Sequence, residues 1–259
     1  MKTYEDARFG TVFEPASFGE LINLAVGVKS GPNHIYMWRG QSNEEWLLHS
    51  AAYRRVSLSG KASERSVVSY EEYLLEKASH KGFRWVEGRE LSDFELLARL
   101  QHHGAATRLL DATRSVLVGL YFACSGNEDA AGLLFGIHCH HLGGGEGRPL
   151  KGVYTERVKS IEIHNHPQTW EPSNVSRRVA SQHSQFVYST VKIGSHGSLA
   201  IEDKYGCLMT IRISKRKKSE YLDILNRTFD ISRSTLFPDL DGFGMVHGAT
   251  EERWKAERW

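Results

Sequence analysis

The stretch from Leu97 to Ala123, LARLQHHGAATRLLDATRSVLVGLYFA, limits what this chain can fold into more than any other. Its first half sets Gln101, His102, His103, Thr107, Arg108, Asp111 and Thr113 among apolar residues, and its second half is the apolar run from Val116 to Ala123. A polar group buried without a partner costs about 1–3 kcal/mol, so the stretch is either a hydrogen-bonded brace or the floor of a site. Ser92 and Glu95 have capping-box spacing, which predicts a helix from Leu91 to Leu100 leading into the polar residues.

Around this stretch, apolar periodicity predicts helices over 15–28, 67–81, 115–124 and 221–227. β-forming or alternating runs predict strands over 34–41, 132–138, 158–163 and 207–213, and at the end of 175–191. Residues 234–244 read as a Pro/Gly loop and 251–259 as a helical tail. No repeat or long linker divides the 259 residues, so the economical fold class is a single α+β domain.

Lys and Arg total 33 against 31 Asp and Glu, a formal charge of +2, which excludes a polycation that binds nucleic acid over its whole surface. The first residues, MKTYEDARFGTVFEP, carry neither a signal-peptide core nor a transit-peptide pattern, and no apolar run approaches the roughly 20 residues that span a bilayer. Cys124, Cys139 and Cys207 are odd in number and widely spaced, which argues for a reducing compartment. The expected location is cytoplasmic, with no membrane partner.

No metal is expected, because HCHH at 138–141 and the pair His164 and His166 do not reproduce a zinc spacing with cysteine. The glycine-rich segment at 142–147 lacks the GK[ST] ending of a P-loop. Arg54-Arg55, Arg177-Arg178 and Lys215 to Lys218 are interleaved with Trp46, Tyr53, Tyr188 and Tyr221. That interleaving suits RNA or single-stranded DNA, where backbone charge and base stacking act together, although short charge runs are more often simply solvated faces.

Four segments carry a family resemblance: YMWRGQ (36–41), LLARLQHHGAATRLLDATRSVLVGLYFA (96–123), RRVASQHSQFVYS (177–189) and LFPDLDGF (236–243). In this order they resemble the signature blocks of the FRG domain, a bacterial domain named for its Phe/Trp-Arg-Gly motif. The resemblance implies an N-terminal helical lead-in over 1–33, an FRG domain over 34–245 and a tail over 246–259. The block order is in turn similar to that of ADP-ribosyltransferases. That similarity implies a split mixed sheet with flanking helices, NAD as the cofactor consumed, and transfer of ADP-ribose to RNA, DNA or a protein. A bacterial toxin or phage-defence effector, with an antitoxin as a possible partner, is the implied role.

On this mapping Arg39 holds the NAD phosphates, Gly40 admits the dinucleotide to the backbone, and Gln41 lies beside them. His103, Thr107, Arg108 and Asp111 line the nicotinamide and ribose pocket, and either Gln182 or Glu162 stands at the catalytic acid position. Read residue by residue, the Arg39 fork suits a pyrophosphate or pairs with Asp111 or another acid as a brace. Arg108 and Asp111 pair locally, or Asp111 or Thr113 caps the following helix. Adjacent His102 and His103 point apart, one into the site. A non-catalytic nucleotide- or nucleic-acid-binding module is the alternative function.

Overall fold

The structure, a computed structural model, describes residues 1–27, 36–138, 142–143, 150, 152–163, 166–172, 177–201 and 208–248. The segments at 28–35, 139–141, 144–149, 151, 164–165, 173–176, 202–207 and 249–259 lie outside them, and so do the helical tail and most of the glycine-rich segment read from the sequence.

The chain opens with a hairpin where a helical lead-in is expected over 1–33: β1 (Lys2–Asp6) pairs antiparallel with β2 (Gly10–Glu14). The cause is local. Thr3, Tyr4, Thr11, Val12 and Phe13 are β-formers, Gly10 takes the positive φ of the turn, and the Asp6 carboxylate accepts the Arg8 N–H at 2.7 Å. Helix α1 (Phe18–Gly27) follows, capped by Ser17 Oγ, as its spacing predicts.

Strand β3 (Tyr36–Gln41) is followed by α2 (Ala51–Ser57), α3 (Glu64–His80), the small hairpin β4 (Trp85–Val86) and β5 (Arg89–Glu90), and α4 (Asp93–His102). The Ser92–Glu95 capping box forms as predicted. Next come β6 (Leu110–Thr113), α5 (Val116–Cys124) and β7 (Gly132–His138). Helix α6 (Tyr154–Glu162) replaces the strand expected at 158–163, because Tyr154, Val158 and Ile161 recur at helical spacing and are its buried residues.

The chain continues through β8 (Gln168–Trp170), α7 (Arg177–Ser181), β9 (Ser184–Tyr188), the hairpin β10 (Val191–Gly194) and β11 (Gly197–Leu199), and β12 (Leu208–Ile213). Helix α8 (Lys215–Phe229) absorbs the basic run. Two short helices, α9 (Arg233–Leu236) and α10 (Leu240–Val246), occupy the expected Pro/Gly loop, with Ser232 and Asp239 as their caps.

Among the described residues eight strands form one mixed sheet in the order β1-β2-β12-β7-β3-β6-β9-β8, with only β2 and β12 parallel. β3 pairs with β7 along its whole length but with β6 only at Trp38↔Thr113, so the sheet parts beyond that pair. Paired residues share a face, which puts Trp38, Gly40, Leu134, Asp111, Thr113, Ser184, Phe186 and Trp170 together. Two apolar layers stand side by side on that face. Helices α1, α5 and α8 cover Trp38, Leu134 and Ile211, while α3, α4 and α6 cover Phe186 and Trp170. Met37, Leu133, Phe135, Ile137 and Val187 fill a third cluster on the opposite face.

Helix α5 meets β3 backbone to backbone. A Cβ on Gly40 would run into the Gly119 carbonyl oxygen and the Ala123 nitrogen, and one on Gly132 into the Ala123 carbonyl. Helix packing therefore demands the glycine that the resemblance assigns to a dinucleotide. No helix among the described residues is long and apolar enough to cross a membrane.

Gly40→Ala is expected to cost about 3 kcal/mol or more, because both clashing groups are backbone. Urea denaturation would show a lower midpoint at unchanged slope, and a wild-type midpoint would mean that α5 shifts without penalty.

Candidate functional site

A cavity of about 290 Å³ opens over the parted strands, between the two helical layers. It draws on all four signature segments: Trp38, Arg39 and Gly40 from β3; Gln101, His102, Asp111, Thr113, Gly119 and Phe122 from the central stretch; Arg178, Gln182 and Ser184 near α7; and Phe237 after α9.

Arg39 reaches across the gap, and its Nη1 donates to the Asp111 carbonyl at 2.7 Å. Its Nε is buried without a partner, and no carboxylate among the described residues forms an ion pair with it. The brace to the Asp111 carboxylate is therefore absent. Burial pushes the Arg39 pKa down, opposed by the charge on Asp111 and reinforced by Arg54.

The Asp111 carboxylate is exposed and accepts from Gln101 Nε2 at 2.7 Å, while Gln101 Oε1 accepts from the buried Thr107 hydroxyl. Thr107 thus orients Gln101 from behind the cavity wall. Asp111 is the one carboxylate among the lining residues.

The two histidines do point apart, and His102 is the one that lines the cavity, 6.4 Å from the Phe186 ring. Burial pushes its pKa below 6.5, with Asp111 opposing, which leaves the imidazole neutral at pH 7. His103 faces away from the cavity, its Nδ1 lying 3.5 Å from Asp241 with both side chains exposed.

Arg178 fastens the later segments to the central one. Its guanidinium pairs with the Asp239 carboxylate, donates to the His102 carbonyl at 3.1 Å and lies 5.2 Å from the centre of the Phe237 ring. Gln182 donates its Nε2 to the Leu236 carbonyl at 3.0 Å, and its backbone carbonyl accepts from the Thr113 hydroxyl at 2.7 Å. The cap of α5 is Ser115, neither Asp111 nor Thr113, because Thr113 is spent on that bond and on the Ser115 N–H.

Arg108 is withdrawn from the cavity altogether and does not pair with Asp111. It is 2% exposed and bound to Glu71 through both its backbone N–H and its Nε, each at 2.6 Å. Its other nitrogens reach Glu64 at 2.9 Å and the Tyr154 hydroxyl at 2.6 Å, and Tyr154 donates to Glu71. Glu71, which the sequence reading passed over, carried a signal: it shares a helical stripe with Val67, Leu75 and Ala78, where an acid needs a buried cation.

Gln41 is buried off the cavity and donates to the Trp46 carbonyl at 3.0 Å, and Glu162 is exposed at the end of α6. The basic run is half structural. Lys218 is 3% exposed and donates to the carbonyls of Ser42, Gly126 and Asn127, and Lys217 donates to the Ala16 carbonyl. Among the described residues no cluster of His, Cys, Asp and Glu is placed to hold a metal ion.

Arg108→Ala is expected to cost about 3–5 kcal/mol in urea denaturation, since it strands Glu71 as a buried charge. Arg39→Gln should change stability by less than about 1 kcal/mol, and equal losses would reject the distinction between brace and site. Burial, then Glu71, raises the Tyr154 pKa above 10.0, so its stabilisation is complete below that pH and is lost as pH rises through it. Between about pH 9 and 11 the melting temperature should fall more steeply in wild type than in Tyr154→Phe.

No curated protein and no solved structure matches the chain. The family comparison does find one match: residues 34–131, which run from β3 through α5 and stop just short of β7, match the FRG domain, the family that the four sequence segments resemble.

Proposed function

We propose that the cavity binds NAD and that the chain transfers ADP-ribose from it to a macromolecule, with RNA or single-stranded DNA favoured over protein as acceptor. The observation that carries this reading is the Arg39 guanidinium, set without a carboxylate partner at an aromatic-lined cavity that holds one acid. The planar fork of an arginine suits a phosphate, and its charge survives burial. The cavity, at about 290 Å³, lies near the lower end of ligand pockets, room for a nicotinamide and its ribose, with the remainder of the molecule extending outward past Arg39.

In this reading Trp38, Phe122 and Phe237 frame the nicotinamide, and Asp111, oriented by Gln101, holds a ribose hydroxyl. Its negative charge also favours the oxocarbenium-like centre that forms as nicotinamide leaves. Asp111 thus takes the acidic part for which the resemblance offers Gln182 or Glu162, and Gln182 helps to orient the acceptor. The exposed Arg54 and Arg177 offer charge to a nucleic-acid backbone. A cytoplasmic toxin or phage-defence effector, held by an antitoxin, is the cellular role that the resemblance suggests. A binding module without turnover is the second reading, favoured by the structural hydrogen bonds that already occupy Asp111 and Gln182.

Incubation of the chain with labelled NAD and, separately, RNA, single-stranded DNA and lysate protein is expected to label one class. Arg39→Ala and Asp111→Asn should each lower transfer about a hundredfold or more with the melting temperature unchanged. NAD binding with no label and no free nicotinamide would establish the binding module. Full activity in Arg39→Ala would overturn the site.

A further inference from the structure

A second hollow, of about 350 Å³, lies beside the cavity, among α7, α9 and α10. Phe237 lines both. Its ring meets Phe122 of the cavity edge-on, with centroids 6.1 Å apart, and Arg178 lies 5.2 Å from its centre. The other walls of the hollow include Arg177, Leu240, Phe243 and His247.

Helix α10 leaves Leu240, Phe243 and Met245 exposed, Leu240 at 83% and Phe243 at 63%. Large apolar side chains grouped on a surface in this way mark a place where something binds. The Phe243 ring lies 4.3 Å from that of His247, one turn further along the helix, which steadies it.

Charge narrows the class of ligand. Asp239 lines the hollow, but its carboxylate is spent on the Arg178 guanidinium and on the Gly242 N–H at 2.8 Å. Asp241 does not line it and lies 3.5 Å from His103 and 3.7 Å from Arg178. Arg177 lines it with an exposed guanidinium that has no ion pair, hydrogen bond or ring partner among the described residues. The hollow thus combines aromatic rings with an unmatched positive charge. An apolar peptide segment would cover the rings and leave the charge uncompensated, whereas a nucleotide brings a flat base and a phosphate together.

We infer that this hollow holds a nucleotide of a single-stranded nucleic acid, its base stacked on Phe243 and its phosphate on Arg177. The inference rests on the nucleic-acid acceptor of the proposed transfer and gives that acceptor its place. Because Phe237 is common to both hollows, a strand held here runs next to the cavity.

The test is fluorescence anisotropy of the whole chain with a labelled single-stranded RNA of about eight nucleotides, the DNA of the same sequence and the RNA duplex, at one fixed salt concentration. Wild type is expected to bind a single strand about tenfold or more tighter than the duplex, whose bases are not free to stack on Phe243. Phe243→Ala and Arg177→Gln should each weaken single-strand binding about tenfold with the melting temperature unchanged, and Arg177→Gln should lower the log–log salt slope by about 0.7. Trp85→Ala, which removes an exposed aromatic from the β4–β5 hairpin, should bind within about twofold of wild type. No binding of either strand, equal binding of the duplex, or affinity unchanged in both Phe243→Ala and Arg177→Gln overturns the inference. Single-strand binding that depends on Phe243 and Arg177 without label from NAD retires the transfer and leaves the inference standing. Labelled nucleic acid whose KM ignores both variants does the reverse.

Discussion

The contact of α5 with β3 is one in which backbone meets backbone, and the cavity depends on it. Only hydrogen fits at Gly40 and Gly132, where a Cβ would overlap the turns of α5 at Gly119 and Ala123. Because α5 follows β6 almost at once, seating the helix on β3 also sets where β6 lies. The two strands then pair at Trp38↔Thr113 alone, and the helical layers on either side leave a groove above the gap.

Two arginines of the matched region divide the remaining work according to what surrounds them. Arg108 is enclosed by Glu71, Glu64 and Tyr154, and its pKa is raised because that attraction outweighs the burial that would lower it. A buried pair of this kind contributes little net stability while intact and costs heavily when one partner is lost, so it fixes α3, α6 and the central stretch together. Arg39 has the opposite balance. Burial without an ion-pair partner lowers its pKa, and one carbonyl at the edge of β6 holds it. Of the two, it retains unspent hydrogen-bonding capacity at the cavity.

Elements whose causes are local were legible. The Ser92–Glu95 box, the apolar helix over 116–124 and the strand over 132–138 all depend on residues within a turn or two of each other. The opening hairpin was missed because its strands are short and mostly exposed, with Val12 the one fully buried residue, so they carry little hydrophobic pattern. The strand read at 158–163 failed because it left out Tyr154, without which Val158 and Ile161 show no helical stripe. Of the residues assigned from the sequence, Arg39, Gly40, Asp111 and Gln182 line the cavity, whereas His102 lines it in place of His103, and Arg178 and Phe237 went unassigned.

From the chain alone follow the mixed α and β elements and the density of polar groups at 101–113, since spacing and residue type settle these locally; the four segments were marked by the family resemblance, and only the tertiary structure brings them to one cavity. Which polar groups are spent and which remain open is a tertiary matter. Glu71 precedes Arg108 by 37 residues, and Asp239 follows Arg178 by 61. Neither pairing has a local signature, and chain reversal at distant loops brings each acid to its arginine. An arginine is closed into a brace or left open at the cavity according to whether such an acid arrives. At Arg39 none of the described residues supplies one.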